Sequence, residues 1–136
     1  DANASVILSS EEVVLPLVES PDYLLSLNEK SIRNWGPRVK EGGAVFYNNS
    51  LIEKVDGLSV KAFGIPCNEI AKKIGSEKSA NIVLLGAYLA FDESVKFETV
   101  KSVIMEKLGK KSEKTAKLNI DAIEAGKEAF LEKYKK

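Results

Sequence analysis

The fold class follows from the stretch EGGAVFYNNS at residues 41–50. Gly42 and Gly43 interrupt the preceding segment, and Gly42 is suited to the left-handed backbone conformation that ends a helix. Ala44–Tyr47 is an apolar run of strand length, and the polar residues Asn48–Ser50 end it. The stretch is therefore predicted to contain a helix end, a strand and a turn in direct succession.

Further strands are predicted on both sides of this stretch. Asp22–Leu27 is continuously apolar rather than alternating, which is typical of a parallel strand buried on both faces. Asn28 is predicted to cap a short helix that Pro37 breaks. Val6–Leu8 and Leu58–Phe63 complete the set of predicted strands. The first 63 residues therefore alternate strand and helix in the order of an α/β protein.

The second half of the sequence is predicted to be helical. A short helix ends at Gly75, and the run ANIVLLGAYLAF at 80–91 indicates a buried helix, since it is far shorter than the ~20 residues that span a bilayer. Gly86 inside this run costs about 1 kcal/mol relative to Ala, so close contact with another element is expected there. One more amphipathic helix precedes the last, which starts near Ser112.

These elements predict an α/β fold in a three-layer α/β/α arrangement with a mainly parallel sheet. Residues 1–136 are predicted to be a single domain, a flavodoxin-like variant that lacks its first strand–helix unit. The chain begins without Met and close to a strand, so we expect its true beginning to lie upstream. Loss of that unit would expose a sheet edge, through which the fragment is expected to self-associate.

The composition limits the chemistry that this chain can perform. Lys+Arg and Asp+Glu balance at 20 each, which argues against nucleic acid or a membrane as a partner. There is no His, so Ser–His and Cys–His nucleophile systems are excluded. Cys67 is the single Cys and cannot hold a metal centre or a disulfide by itself. It is expected to be buried, and a free thiol suits a cytoplasmic setting.

Five segments, spread over nearly the whole chain, then carry a resemblance to a known family: ANASVILSSEEV at 2–13, VESPDYLLSLNEKSI at 18–32, VKEGGAVFYNNSLI at 39–52, FGIPCNEIAKKIGSEKSANIVLLGAYLA at 63–90 and KLNIDAIEAGKEAF at 117–130. Together they resemble the gamma subunit, or gamma domain, of the 2-oxoacid:ferredoxin oxidoreductases. NNSLI at 48–52 resembles most the branch that acts on 2-oxoglutarate or 2-oxoisovalerate. The resemblance implies that the chain is the C-terminal three quarters of a gamma domain.

The resemblance also implies a function that the chain does not perform alone. The parent complex oxidatively decarboxylates a 2-oxoacid, consumes coenzyme A and reduces ferredoxin. It is expected to use thiamine diphosphate with Mg and iron–sulfur clusters, held by alpha-type, beta-type and ferredoxin-like subunits. This chain is expected to bind none of these cofactors and to supply no catalytic residue. It would act as a scaffold and as one wall of the coenzyme A approach.

Polar side chains next to the predicted strands are the candidate contacts with coenzyme A or with other subunits. In open α/β sheets, ligands meet the loops at the carboxyl ends of the strands. The candidates are Asn3, Asn48, Asn49, Ser50 and Asn68. Asn and Ser also cap helices and close turns for purely local reasons, and that alternative stays open for each of them.

Two other classes of function fit the same sequence. The first is a flavodoxin-like or Rossmann-like nucleotide-binding module whose phosphate loop lies in the absent N-terminal unit. The second is a purely structural assembly domain that touches no ligand. Binding of coenzyme A, FMN or NAD by the full-length protein would separate the first alternative from the gamma subunit. An unchanged KM for coenzyme A after substitution of Asn48, Asn49 and Ser50 would favour the second.

Overall fold

The computed structural model describes residues 6–9, 23–93, 96–108 and 112–135. They divide into two compact units, with the boundary between Pro66 and Cys67. The elements, in chain order, are β1 (Val6–Ser9), β2 (Tyr23–Ser26), α1 (Glu29–Trp35), β3 (Ala44–Asn48), β4 (Lys61–Ile65), α2 (Cys67–Ile74), α3 (Ala80–Phe91), α4 (Phe97–Leu108) and α5 (Glu113–Tyr134).

The first unit contains a parallel sheet whose strands lie in the order β1-β2-β3-β4. The register places Leu24, Val45 and Ala62 side by side in one row across β2, β3 and β4. Two residues further on, the corresponding row consists of Ser26, Tyr47 and Gly64, and two of these residues carry a hydroxyl group. The predicted α/β class with a parallel, open sheet is confirmed.

One face of this sheet is covered by the β2–β3 and β3–β4 connections. Leu24 and Val45 of the sheet form a hydrophobic cluster with Ile32 of α1, with Val39 and with Ile52 of the β3–β4 connection. Connections of the same hand lie on the same face when the strands follow each other in chain order. The shared cluster fits that rule, because the helix and the irregular segment 49–60 contact the same side chains of the sheet.

The fourth strand begins three residues later than the sequence predicts. Pairing with β3 starts at Lys61, whereas the strand was expected from Leu58. Leu58 and Val60 instead lie against the hydrophobic cluster, partly buried. Their apolar side chains are thus explained by packing of the connection and not by strand pairing.

Gly42 does adopt a left-handed conformation, but in a turn and not at a helix end. Its φ is +89°, and the Gly43 N–H donates to the Lys40 carbonyl at 2.8 Å. A positive φ at the third residue of such a turn requires Gly or Asn. The preceding helix α1 has already ended at Trp35, and Pro37 lies in the 3₁₀ turn that follows it, so the predicted break is confirmed.

The second unit is helical, and α3 and α5 meet at two glycines. A Cβ placed on Gly86 would lie 2.8 Å from the carbonyl carbon of Ile123, and one on Gly126 would lie 2.8 Å from that of Val83. Real Cβ atoms do not approach backbone this closely. The expected close contact at Gly86 is confirmed, and its partner is the backbone of α5.

Helix boundaries in this unit agree with the sequence. Helix α3 spans the predicted residues 80–91, and α5 starts after Ser112, whose hydroxyl accepts from the Thr115 N–H at 3.2 Å. The buried Ser79 hydroxyl donates to Asn119 of α5 at 3.1 Å. Within the described part of the chain, every helix is too short or too polar to cross a membrane.

Candidate functional site

The carboxyl end of β2 is held by hydrogen bonds within the chain. The hydroxyl of the fully buried Ser26 donates to the Asn28 carbonyl at 2.7 Å. The Asn28 side chain accepts from the Ser31 N–H at 2.8 Å, which satisfies one of the free donors at the start of α1. The predicted capping role of Asn28 is confirmed, and it fixes where the helix leaves the sheet.

Asn48 at the end of β3 shapes the turn that follows. Its side-chain oxygen accepts from the Ser50 N–H at 3.1 Å, and its carbonyl accepts from the N–H groups of Leu51 and Ile52. The residue is only 1% exposed. These bonds are those of an Asx turn, the local use of Asn that competes with ligand binding. Contacts of Asn48 and Ser50 with coenzyme A or another subunit stay predictions.

Asn49 lies in a different environment, because alternate residues of a strand face opposite sides of the sheet. Val45 and Tyr47 contact the hydrophobic cluster beneath α1, and Asn49 continues the same alternation beyond the end of β3. Its backbone N–H donates to the Ile65 carbonyl of β4 at 2.9 Å, which extends the strand pairing by one residue. The side chains of Asn48 and Asn49 therefore belong to opposite faces.

The side chains of Tyr47 and Asn49 meet above Gly64 of β4. A Cβ on Gly64 would lie 2.9 Å from the Tyr47 hydroxyl oxygen and 3.0 Å from the Asn49 side-chain nitrogen. Tyr47 and Asn49 are both half-buried, so each is partly accessible to solvent. We call Tyr47, Asn49 and Gly64 the carboxyl-edge patch. It places a hydroxyl and an amide side by side at the edge where α/β sheets bind ligands.

Sequence reasoning selected Asn49 but not Tyr47 or Gly64. The apolar run Ala44–Tyr47 was predicted to be a strand, and the Tyr47 ring packs against the hydrophobic cluster. The two-residue alternation through Val45, Tyr47 and Asn49 is the sequence signal that could have placed the Tyr47 hydroxyl on the same face as the Asn49 amide. Gly64 could not be found without the register between β3 and β4, which puts it opposite Tyr47.

Two sequence-predicted candidates remain, Asn3 and Asn68. Asn3 falls outside the described residues. Asn68 is the second residue of α2, in the other unit, where it is exposed and lines a shallow depression with Glu69, Lys72 and Glu77. A binding role for Asn3 or Asn68 stays a prediction.

Cys67 is buried, as expected, and its environment disfavours ionisation of the thiol. Burial raises its pKa to about 12, so the neutral thiol dominates at physiological pH. A thiolate is the nucleophile and the metal ligand, and this environment disfavours it. Across residues 23–93, 96–108 and 112–135, no three Cys or carboxylate side chains converge as a metal site would require.

These features define a class: an α/β chain with an open parallel sheet and neutral hydrogen-bonding groups at the carboxyl ends of its strands. The family model described as pyruvate ferredoxin/flavodoxin oxidoreductase matches residues 2–129. The chain belongs to this family, as the resemblance implied.

Individual relatives agree with this assignment. Ketoisovalerate oxidoreductase subunit VorA of Methanothermobacter thermautotrophicus is 34% identical over 132 residues, a match that covers 93% of this chain and 26% of VorA. The chain thus spans about a quarter of the length of this curated relative.

Two solved structures share the fold. The gamma subunit of a keto/oxoacid ferredoxin oxidoreductase from Geobacter sulfurreducens matches with a TM-score of 0.74 and 27% identity, over 82% of this chain and 65% of that one. A 2-oxoglutarate:ferredoxin oxidoreductase from Magnetococcus marinus, solved with 2-oxoglutarate, coenzyme A and succinyl-CoA bound, matches with a TM-score of 0.72 and 27% identity. That match covers 86% of this chain and 21% of that one.

Proposed function

We propose that this chain is the gamma part of a 2-oxoacid:ferredoxin oxidoreductase. In the proposed reaction, the complex decarboxylates a 2-oxoacid, transfers the acyl group to coenzyme A and passes the electrons to ferredoxin. The chain itself acts as a scaffold and supplies one wall of the approach for coenzyme A. The preferred 2-oxoacid is either 2-oxoisovalerate or 2-oxoglutarate.

The observation that carries the proposal is the fold shared with the Geobacter sulfurreducens gamma subunit over 82% of this chain. The relatives of known name are subunits that act on ketoisovalerate or 2-oxoglutarate. The relative from Magnetococcus marinus was solved with coenzyme A and succinyl-CoA bound, which supports an acyl-transfer step to coenzyme A.

The residues of this chain do not fit the redox cofactors that such a complex needs. An iron–sulfur cluster is held by several Cys thiolates, whereas this chain has one Cys, buried and with a pKa of about 12. Thiamine diphosphate, when bound by the complex, serves as the electron sink for decarboxylation. We assign that cofactor, its Mg and the clusters to alpha-type, beta-type and ferredoxin-like subunits.

The proposed partners are therefore those subunits, together with ferredoxin as the electron acceptor. The single, reduced Cys agrees with a cytoplasmic complex. Co-purification tests this part of the proposal. The full-length tagged subunit should retain a thiamine-binding chain and a Cys-rich chain from its native cells, in fixed stoichiometry. Recovery of the subunit without either chain would contradict the proposal.

A purely structural assembly role is the second candidate, and one observation favours it. The Asn48 side chain, one of the predicted contact groups, accepts a hydrogen bond from the Ser50 backbone N–H within one turn. Substitution separates the two roles. If variants of Asn49 and Tyr47 leave the KM for coenzyme A unchanged in an assembled complex, the chain contributes to assembly only.

A further inference from the structure

Trp35, the last residue of α1, is partly open to solvent. Its ring packs against the hydrophobic cluster of the first unit, and the residue is half-buried. Among the described residues, none accepts a hydrogen bond from its indole N–H. A Trp side chain combines a large apolar ring with a polar donor, and this combination is enriched where proteins meet each other. Trp35 therefore offers an apolar surface and a donor that has no partner in the described part of the chain.

Arg38 lies over the Trp35 ring. Its guanidinium carbon is 5.3 Å from the ring centre, within the range of a cation–π contact. Arg38 is exposed, and no carboxylate of the described residues pairs with it, whereas Arg33 is paired with Glu29 at 3.1 Å. The planar N–H donors of a stacked guanidinium stay available, and they match a carboxylate in a two-bond arrangement. Arg38 is therefore positioned on the ring with its donors unused.

The backbone between these two side chains is fixed by the 3₁₀ turn that follows α1. The Val39 N–H donates to the Gly36 carbonyl at 3.1 Å. A Cβ placed on Gly36 would lie 3.0 Å from a methyl carbon of Leu58, so the half-buried Leu58 lies directly beside the turn. We call Trp35, Arg38 and Leu58 the Trp35 surface. Side chains held in this way lose little conformational entropy on binding, which favours association.

The charge around the Trp35 surface is positive. Residues 29–41 contain two carboxylates, Glu29 and Glu41, and four basic residues, Lys30, Arg33, Arg38 and Lys40. Opposite charges at short range favour association, so a complementary surface is acidic. The charge of the whole chain is balanced at 20 of each sign, which argues against nucleic acid as the source of the negative charge and favours the carboxylates of a protein.

Trp and Arg are enriched among the few residues that carry most of the binding energy of protein interfaces. We propose that the Trp35 surface is a contact site for another subunit of the oxidoreductase complex, in which a carboxylate of that subunit pairs with Arg38 and apolar side chains cover Trp35 and Leu58. This inference rests on the proposed function, because it takes the partner from the proposed complex.

Two matched substitutions test the role of Arg38. Arg38→Gln and Arg33→Gln each remove one exposed guanidinium from neighbouring positions, but only Arg38 stacks on Trp35. The full-length subunit, wild type or variant, is titrated into the assembled alpha-type, beta-type and ferredoxin-like subunits, and the Kd is measured by calorimetry. We expect Arg38→Gln to raise the Kd about ten- to hundredfold, the loss of a hydrogen bond between charged groups, and Arg33→Gln to change it less than about twofold.

Trp35→Phe tests the apolar part of the contact. The variant keeps an aromatic ring against the hydrophobic cluster and removes the indole N–H together with part of the exposed ring. We expect the Kd to rise about tenfold. Thermal unfolding of each free variant, followed by circular dichroism, separates a loss of contact from a loss of folding.

Oxidative footprinting gives a second measurement that needs no substitution. Trp35 is the only Trp in residues 1–136 and is half-buried, so hydroxyl radicals should oxidise it in the free subunit. Mass spectrometry of the peptide that contains Trp35 measures the oxidation rate. We expect this rate to fall several-fold in the assembled complex.

The proposal would be overturned if Arg38→Gln and Arg33→Gln had equal effects on the Kd, or if Trp35 were oxidised at the same rate in the free subunit and in the complex. Protection of Trp35 in the isolated subunit that is lost on dilution would assign the surface to a second copy of this chain, and would overturn the proposal as well. A wild-type subunit that binds none of the other subunits would contradict the proposed function, whereas binding that is insensitive to these substitutions would contradict only this inference.

Discussion

Gly86 of α3 and Gly126 of α5 form a reciprocal contact in which each glycine lies against the backbone of the other helix. Gly86 lies against Ile123, three residues before Gly126, and Gly126 lies against Val83, three residues before Gly86. The backbones of the two helices therefore approach each other more closely than side chains would permit. The contact fixes how α3 and α5 cross in the second unit.

The Gly86→Ala substitution tests this contact, because the sign of the change in unfolding free energy depends on it. Helix propensity alone favours Ala over Gly by about 1 kcal/mol, so an open site would gain stability. The new methyl group would instead overlap the backbone of Ile123, which cannot rotate away, and we expect a loss of about 3 kcal/mol or more. Denaturant unfolding of the subunit, followed by circular dichroism, measures the change.

Gly126→Ala should cause a loss of similar size, because its methyl group would overlap Val83. Glu128→Ala, an exposed change on the same helix, is the control and should stay within about 0.5 kcal/mol. A Gly86→Ala variant as stable as the wild type would mean that the helices do not approach each other at these glycines.

Asn28→Ala tests the cap that directs α1 away from the sheet. Loss of the 2.8 Å bond from the Ser31 N–H should cost about 1 kcal/mol of unfolding free energy. Asn34→Ala provides a matched control, because Asn34 is an exposed residue of the same helix. It should be neutral or slightly stabilising, since Ala is the better helix former. Equal effects of the two substitutions would rule out the capping role.

Cys67 gives a prediction for the reactivity of the native protein. Because burial raises the pKa of its thiol to about 12, a thiol-specific maleimide should modify it very slowly at pH 8. Unfolding in denaturant should make the reaction rapid. Cys67→Ala should remove the signal, and Ser59→Cys, an exposed site, should react quickly in the folded protein. Rapid labelling of native Cys67 would contradict the buried position.

The same thiol makes stability depend on alkaline pH. In the unfolded chain it ionises near its ordinary pKa of 9.0, while in the folded protein it stays protonated up to about pH 12. The unfolded state therefore loses the proton first, and the folded state is progressively disfavoured as the pH rises above 9. Between the two values this thiol should cost up to about 1.4 kcal/mol per pH unit. Cys67→Ala should lack this part of the slope, which unfolding at pH 8 and pH 10.5 measures.

The sequence predicted those elements whose local pattern has one physical explanation. The apolar run at residues 80–91 is continuous and of helix length, and the structure confirms both of its bounds. Gly86 inside it was correctly linked to a close contact. The partner, Gly126, could not be predicted, because the crossing point of two helices depends on their packing and not on either sequence alone.

Local pattern failed where packing replaced strand pairing. Leu58 and Val60 are apolar enough for a strand, yet their side chains pack on the hydrophobic cluster, and strand pairing begins at Lys61. The candidate site shows the same limit. Asn48 and Asn49 are the same type of residue, but the strand alternation places their side chains on opposite faces of the sheet. Only the register shows that Asn49 and Tyr47 meet above Gly64.

The central claim, that this chain works only as the gamma part of a 2-oxoacid:ferredoxin oxidoreductase, is tested most directly by an omission experiment. The purified full-length subunits are combined with and without this one, and the 2-oxoacid-dependent reduction of ferredoxin is measured in the presence of coenzyme A. We expect reduction only in the complete mixture, and none by this subunit alone. Equal rates with and without the subunit, or oxidation of a 2-oxoacid by the subunit alone, would contradict the claim.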